Sequence, residues 1–208
     1  MVEKIRHRGP DDLGCWGSIK DGLALAHTRL SIVDLSTNGA QPMISKCGRF
    51  VIVFNGEIYN HNDLRKQIEL EVSPTQWQGT SDTETLLAGF SCWGFQKCLL
   101  KLVGMFAFAL WDNQEKTLVL ARDRMGEKPL YYGQAGDTFL FGSELKSLQV
   151  FPDWKGKINR DVLALFFRFG YVPAPWSIYE DIFKLPPAHF LIIKDNGRDI
   201  GDPICYWD

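Results

Sequence analysis

Four short apolar segments along the chain have the length and residue types of β-strands: 50–54, 105–111, 117–121 and 139–141. The turn at 112–115, Asp-Asn-Gln-Glu, joins the middle two and predicts an antiparallel hairpin. The segments 50–54 and 105–110 do not alternate between apolar and polar side chains, which indicates that both of their faces are covered. Because each face then needs a packing partner, the pattern predicts more than two layers.

Three further segments have helical patterns that can supply the covering layers. Ser81 and Glu84 have the S-x-x-E spacing of a capping box, and apolar residues follow at helical spacing. Leu64 and Ile68, four positions apart, indicate a second helix after a cap region at 60–63. A third helix is predicted over 160–169, directly after Asn159. Since it is apolar nearly all round, we expect it to be buried.

The last part of the chain carries a hairpin signal of its own. Asn196-Gly197 is a two-residue turn sequence that follows the apolar segment 190–193. No internal repeat, low-complexity tract or linker divides the sequence. The pattern as a whole predicts one α+β domain in which helices flank stacked antiparallel sheets.

Composition and charge exclude several classes of protein. The 208 residues include 23 Lys and Arg against 25 Asp and Glu, a net charge of −2, and 45% of them are hydrophobic. This balance is ordinary for a globular domain and excludes a disordered or collagen-like chain. It also gives no electrostatic reason to expect nucleic acid or an acidic membrane as a partner. The longest apolar run, 105–111, is far shorter than the roughly 20 residues of a membrane span.

The cysteines do not form a recognisable pattern. Their number is odd and no two have C-x-x-C spacing; they are Cys15, Cys47, Cys92, Cys98 and Cys205. Without a signal peptide ahead of them, we expect reduced, mostly buried thiols in a cytoplasmic protein, with neither disulfides nor a metal site. Cys15 is a candidate nucleophile, but no nucleophile elbow surrounds it and a structural role is favoured.

Three polar groups stand out because they lie at predicted strand ends or helix starts. Arg29 heads a strand-like piece that runs to residue 34, and Asn55-Gly56-Glu57 directly follows the apolar segment 50–54. Asp82 lies at a predicted helix N-terminus. Taken singly, each also has an ordinary structural explanation, as a surface ion pair, a plain turn or a helix cap.

Taken together, the three groups match the needs of a free amino acid. Arg29 offers a guanidinium fork for an α-carboxylate, and either Asp82 or Glu57 offers a carboxylate for an α-ammonium. The Asn55 amide and the Gly56 backbone N–H are suitable donors for an oxyanion. The sequence therefore predicts the binding groups of a glutamine or asparagine amidohydrolase that lacks its nucleophile.

The order of the motifs resembles a known family. The matching segments are 8–12, 26–34, 39–43, 54–61, 81–84, 104–109, 121–124, 126–132 and 142–146. Over essentially the whole chain they resemble the glutaminase domain of glutamine-hydrolysing asparagine synthetases, a class-II amidotransferase of the N-terminal-nucleophile type.

The resemblance implies a fold and a set of roles. It implies a four-layer αββα sandwich of antiparallel sheets flanked by helices. It assigns L-glutamine binding to Arg29, Leu30, Ser31, Ile32, Val33, Asn55, Gly56, Glu57 and Asp82. Within that set, Arg29 holds the carboxylate, Asn55 and Gly56 form the oxyanion hole, Glu57 lines the pocket and Asp82 binds the α-ammonium. It implies an interior sheet around 121–132 that also contacts the synthetase half; the charged residues there are expected to form a structural network.

The sequence departs from the family at both ends. The family's nucleophile is a cysteine at the first position of the mature chain, whereas Val2 follows Met1 here and Cys15 has no free α-amino group. We therefore expect 1–194 to be an amidotransferase domain without its first strand and helix, inactive as it stands. Residues 195–208 would begin the connection to a synthetase domain, which would hold ATP and magnesium; no cofactor or metal is expected in this domain.

The predicted function is the release of ammonia from glutamine for the ATP-dependent amidation of aspartate, a ligase reaction of amino-acid biosynthesis. The expected partner is a synthetase domain in the same chain, and a homodimer is left open. One alternative is an amidotransferase that acts on another carboxylate, such as a polysaccharide sugar acid. A second alternative is a non-catalytic glutamine-binding module.

Overall fold

Two layers of antiparallel sheet, stacked face to face, form the centre of the computed structural model, which describes residues 1–72 and 76–208. The strands are β1 (Asp12–Ser18), β2 (Leu23–Arg29), β3 (Met43–Ile44), β4 (Phe50–Ile58), β5 (Gly104–Asp112), β6 (Thr117–Arg122), β7 (Tyr131–Ala135), β8 (Thr138–Gly142), β9 (Ile182–Lys184), β10 (His189–Lys194), β11 (Asp199–Ile200) and β12 (Ile204–Cys205). The α-helices are α1 (His61–Glu71), α2 (Asp82–Trp93), α3 (Phe95–Lys101), α4 (Leu145–Leu148) and α5 (Arg160–Phe169). Short 3-10 segments lie at Val2–Arg8, Thr37–Gly39 and Asp195–Gly197.

The larger sheet is built around the pair β4 and β5. Its strand order is β11-β10-β6-β5-β4-β3, and β12 pairs with β10. β4 and β5 pair along their whole length, from Phe50 opposite Asp112 to Ile58 opposite Gly104. The predicted turn at 112–115 joins β5 to β6, and Asn196-Gly197 lies between β10 and β11. Both predicted hairpins are therefore confirmed.

Helices α1, α2 and α3 cover one face of the larger sheet. Phe90 of α2 is 1% exposed, and its ring centroid lies 6.3 Å from that of Phe50, 5.8 Å from Phe95 and 5.7 Å from Phe108. Leu64 of α1 belongs to the same core. This packing confirms the predicted helices and gives β4 and β5 their first covered face.

The opposite face packs against two smaller sheets. β1 pairs with β2, while β7 pairs with β8 on one side and β9 on the other. Val51 and Val53 of β4 share a core with Leu25 of β2 and Tyr132 of β7. Side chains alternate across a strand, so β4 sends its even-numbered residues to the helices and its odd-numbered residues to the second layer. The prediction that both faces are covered is confirmed.

A thin fourth layer completes the αββα arrangement. Leu148 of α4 packs with Leu140 and Ile182 on the outer face of the smaller sheets, and Phe151 and Trp154 add to this cluster. The predicted fold class is confirmed, with most of the helical mass on one side. Residues 199–200 and 204–205 pair with β10 and so form part of the larger sheet.

The helices start close to the predicted positions, but their side-chain capping bonds differ from one helix to the next. The Ser81 hydroxyl caps α2, accepting a hydrogen bond from the Thr83 N–H at 3.1 Å. Asn60 is the N-cap residue of α1, within the predicted cap region 60–63, but its side chain makes no capping hydrogen bond. Its side chain instead bridges to the segment after α3, accepting from the Val103 N–H and donating to the Lys101 carbonyl. The Asn159 side chain caps α5, accepting from the N–H groups of Asp161 and Val162.

The predicted burial of the 160–169 helix is wrong. Of the residues of α5, Val162 alone is buried, and Phe166, Phe167 and Phe169 are 42%, 78% and 49% exposed. The apolar residues form a broad stripe, but no element of the described residues packs over most of it. None of the described helices combines the length and the apolar character needed to cross a membrane.

The expectation of mostly buried cysteines is also wrong. Cys98 is buried against the helical core, whereas Cys15, Cys47 and Cys205 are exposed and Cys92 is half-buried. Cys15 is exposed because β1 is an edge strand whose residue at that position faces away from the core. Burial in the apolar core raises the pKa of the Cys98 thiol to about 12, which makes that side chain unreactive near neutral pH.

The packing of aromatic rings around Phe90 predicts how much stability is lost when the Phe90 ring is removed. Phe90→Ala should lower the free energy of unfolding by about 3–5 kcal/mol, because it leaves a cavity among three aromatic neighbours. Phe167→Ala removes the same ring from an exposed position and should change stability by less than about 0.5 kcal/mol. Denaturant titration of both variants measures the difference; equal losses would contradict the assignment of Phe90 to the core and of α5 to the surface.

Candidate functional site

All nine residues predicted to bind glutamine line one cavity of about 420 Å³. They are Arg29, Leu30, Ser31, Ile32, Val33, Asn55, Gly56, Glu57 and Asp82. They come from the end of β2 and the loop after it, from β4, and from the first turn of α2. Three parts of the sequence are thus brought together at one edge of the larger sheet.

Arg29 is the last residue of β2 and is 9% exposed. Its guanidinium donates to the Ser36 carbonyl at 2.9 Å and to the Asp34 carbonyl. A guanidinium has five N–H donors, so three remain for a ligand. The predicted strand over 29–34 is wrong beyond its first residue: the loop curls back, because Arg29 draws the backbone carbonyls of residues 34 and 36 toward itself.

Asn55, Gly56 and Glu57 lie inside β4, and not after it as expected. The strand continues to Ile58 because β5 pairs with it along its full length. A Cβ atom at Gly56 would lie 2.1 Å from the Met105 carbonyl oxygen, so only glycine fits this close approach.

Asn55 presents an unused hydrogen-bond donor. Its Nδ2 atom is buried and has no partner among the described residues. Leaving a buried donor unpaired costs about 1–3 kcal/mol. Such a group, beside the close-packed Gly56 backbone, is suited to receive an oxygen that carries negative charge.

Asp82 supplies the negative charge of the site. It is 6% exposed at the N-terminus of α2, and its Oδ2 accepts a hydrogen bond from the Ile58 N–H at 2.9 Å. Burial raises the pKa of Asp82 above its usual value, and the nearby Glu57 raises it further. A cation beside this carboxylate would relieve the cost of its burial.

His27 and Gln41 line the cavity but were not predicted as site residues. The His27 Nε2 atom lies 3.0 Å from the Phe54 carbonyl, while its buried Nδ1 has no partner in the described part of the chain. Burial lowers the pKa of His27 to about 4. The Gln41 Oε1 accepts from the Phe54 N–H at 2.6 Å. His27 lies in the family-like segment 26–34 and Gln41 in the segment 39–43. Their position in these segments is the feature of the sequence that could have identified them as site residues.

The charged residues after β6 bind backbone groups and form no network with one another. The buried Asp123 carboxylate accepts from the N–H groups of residues 106, 125, 127 and 128, and the Arg122 guanidinium donates to the carbonyls of residues 126, 128 and 185. The expected structural role is therefore met by side-chain to backbone bonds. These bonds shape the loop that places Lys128 at the rim of the cavity.

A second cavity of about 550 Å³ lies beside the first, between β2 and β8. Each of these strands pairs on one side only, β2 with β1 and β8 with β7. Apolar side chains of β4, β5 and β6, including Val53, Ala109 and Leu118, line it. The two cavities share five residues: Arg8, His27, Thr28, Phe54 and Asn55.

Comparison with known sequences places the chain in a family. Residues 1–207 match the family described as the glutamine amidotransferase domain, and the chain belongs to that family. It is 39% identical to asparagine synthetase [glutamine-hydrolyzing] 3 of Bacillus subtilis, covering 100% of this chain and 33% of that protein. It is 37% identical to asparagine synthetase [glutamine-hydrolyzing] 1 of the same organism, over 95% of this chain and 30% of that protein.

The chain thus spans about a third of the length of these curated relatives. Among solved structures, it is similar to the glutamine phosphoribosylpyrophosphate amidotransferase of B. subtilis, with a TM-score of 0.58 at 22% identity. That match covers 88% of this chain and 35% of the other. At this identity the likeness shows a shared fold, which is the predicted one.

The buried imidazole of His27 predicts a pH dependence of folding. Its pKa is about 4 in the folded chain and 6.5 when unperturbed, so between these values the unfolded state binds more protons. The free energy of unfolding should therefore fall as the pH is lowered from 6.5 to 4, with up to about 3 kcal/mol lost through this residue. Denaturant titrations of the wild type and His27→Asn measure this; the same pH slope in both would contradict the assignment.

Proposed function

We propose that this domain binds L-glutamine and releases ammonia from it, as the glutaminase half of a glutamine-dependent asparagine synthetase. The observation that carries the proposal is the convergence of Arg29, Asp82 and the Asn55–Gly56 donors on one cavity. A guanidinium, a carboxylate and an unused amide donor are the three groups that a glutamine molecule needs. Membership in the glutamine amidotransferase domain family supports the same substrate.

In the proposed complex, Arg29 holds the α-carboxylate and Asp82 holds the α-ammonium. The side-chain amide then reaches the Asn55 Nδ2 and the Gly56 N–H, which stabilise negative charge on the carbonyl oxygen. Attack by a thiolate on the amide carbon forms a carbon–sulfur bond. The carbon–nitrogen bond then breaks, and the leaving nitrogen takes up one proton and departs as ammonia, which leaves a thioester. Water then cleaves the thioester to give glutamate and to regenerate the thiol. Two oxyanion donors are each worth about 3 kcal/mol in comparable sites.

The nucleophile in this proposal comes from outside the described cavities. Cys15 lies on β1 and is not among the residues that line the substrate cavity. We propose that an N-terminal cysteine on an additional strand supplies the thiolate. The groove between β2 and β8 supports this, because both strands have free edges and the groove opens onto the substrate cavity at His27 and Asn55.

The rest of the reaction is proposed to take place beyond this domain. Ammonia would pass to a synthetase domain in the same protein, where ATP and magnesium are bound and aspartate is amidated. We further propose a cytoplasmic enzyme and leave a homodimer open. The relatives offer no support for a polysaccharide-acid acceptor or for a non-catalytic binding module.

Arg29→Ala should weaken glutamine binding to the 208-residue chain by about 10–100-fold, because it removes charge-assisted hydrogen bonds to the carboxylate. Isothermal titration calorimetry measures the change. Arg6→Ala is the matched control, since the Arg6 side chain is 63% exposed and does not line the cavity. Equal affinity of the wild type and Arg29→Ala would contradict the assigned role.

The 208-residue chain is expected to bind glutamine without hydrolysing it, because no cysteine lines its substrate cavity. Ammonia release from glutamine, followed by a coupled assay, should equal the rate without protein. Activity that Cys15→Ala abolishes would overturn this expectation. In a longer protein that begins with a cysteine strand, ammonia release should appear, and Arg29→Ala should impair glutamine use while sparing synthesis from added ammonia.

A further inference from the structure

Two irregular loops adjoin the charged residues of the substrate cavity and are bonded to each other. The first follows Arg29 and runs from residue 30 to 39. The second, 76–80, leads into Asp82 at the start of α2. Asn38 Nδ2 donates to the Gln78 carbonyl at 2.7 Å, and the Thr80 hydroxyl donates to the Val33 carbonyl at 3.4 Å. The first loop thus directly follows the positive residue Arg29, and the second directly precedes the start of the helix that carries the negative residue Asp82.

Asp34 is the residue that joins both loops to Arg29. Its side chain is 8% exposed, and its Oδ2 accepts a hydrogen bond from the Thr80 N–H of the second loop at 2.9 Å. Its Oδ1 accepts from the Ser36 N–H at 2.8 Å and the Ser36 hydroxyl at 2.6 Å. Its own carbonyl accepts from the Arg29 guanidinium. These donors lower the pKa of Asp34, so it stays ionised at neutral pH.

The second loop is in turn held by the helices. Glu84 of α2 accepts from the N–H groups of Gln78 and Gly79 at 2.8 and 3.1 Å. Arg65 of α1 donates to the carbonyls of Gly79 and Ser81 at 2.9 and 2.8 Å. The loop is therefore rigid with respect to α1 and α2. Asp34 transmits that rigidity to the loop that surrounds Arg29.

The two loops pack so closely that no side chain fits at two of their glycines. A Cβ atom at Gly79 would lie 2.3 Å from the Asp34 Oδ2. One at Gly39 would lie 2.3 Å from the Arg29 Nη2 and 3.3 Å from the Asp34 Cβ. The two glycines allow the carboxylate to reach Thr80 and the guanidinium to lie against its own loop.

We propose that Asp34 is a positioning residue that fixes the separation of Arg29 and Asp82, and so sets the preference of the site for α-amino acids. The inference rests on the proposed function. An α-carboxylate and an α-ammonium share one carbon atom, so both ion pairs form together only when their protein partners are held at a matching distance. Without the Asp34–Thr80 bond, the loop after Arg29 is held less firmly to the loop that α1 and α2 fix, and the second ion pair adds less to the first.

The test compares two ligands that differ by one group: glutamine, and 5-amino-5-oxopentanoate, which is glutamine without its α-amino group. Calorimetry gives the ratio of their dissociation constants for the wild type, Asp34→Asn and Gly79→Ala. Asp34→Asn weakens the carboxylate's hydrogen bonds, and Gly79→Ala pushes the loops apart without changing any charge. Asp63→Asn, on an exposed side chain, and Gly17→Ala, where the added Cβ has an ordinary contact, are the matched controls.

We expect the wild type and both controls to prefer glutamine strongly, and the preference to fall by about tenfold in Asp34→Asn and Gly79→Ala. Hydrogen exchange at the Thr80 amide should speed up in these two variants while the core amides keep their protection. A variant that weakens both ligands equally, or an unchanged ratio, would overturn the positioning role and leave the proposed function standing. A wild type that binds glutamine no better than the deaminated ligand would overturn both.

Discussion

The pairing of β4 with β5 is the constraint on which the rest of the structure depends. These strands bury both faces, so every side chain between residues 50 and 54 needs an apolar neighbour on one side of the sheet or the other. Helices α1 to α3 pack against one face of the sheet, and the smaller sheets pack against the other. The same pairing carries β4 on through Asn55 and Gly56, so the proposed oxyanion donors are backbone and side-chain groups of the sheet that is covered on both faces. Their placement is therefore rigid.

The candidate site combines opposite charges that could not be buried separately without high cost. Arg29 is neutralised in part by backbone carbonyls, while Asp82 keeps a raised pKa, which indicates that its charge lacks a full partner. In the proposed complex, a zwitterionic amino acid completes both ion pairs at once. The Asp34–Thr80 hydrogen bond links the loop after Arg29 to the loop before Asp82, and through it the proposed site would select the geometry of its ligand as well as its charge.

The sequence predicted the apolar strands β4, β5, β6, β8 and β10, because a run of apolar residues has few structural interpretations, whereas short or more polar strands such as β1, β3 and β9 were not predicted. The residue types of the site were also predictable, since a guanidinium, a carboxylate and an amide each have a specific use. Other expectations failed for a common reason. The burial of α5 and the extension of the piece after Arg29 both depend on which element packs opposite, and the periodicity of a sequence carries no information about packing partners.

The sequence by itself thus determined the class of the fold, the central hairpin and the chemical identity of the groups that line the candidate site. Only the tertiary structure decided that β2, β4 and α2 meet at one cavity, that Asp34 bonds to Thr80 across 46 positions of the chain, and that a groove with two free strand edges opens onto the same place. The physical reason is the range of the interactions. Side-chain alternation and helix capping act between near neighbours, whereas hydrogen bonds between loops and the packing of two sheets form only after distant segments have come together.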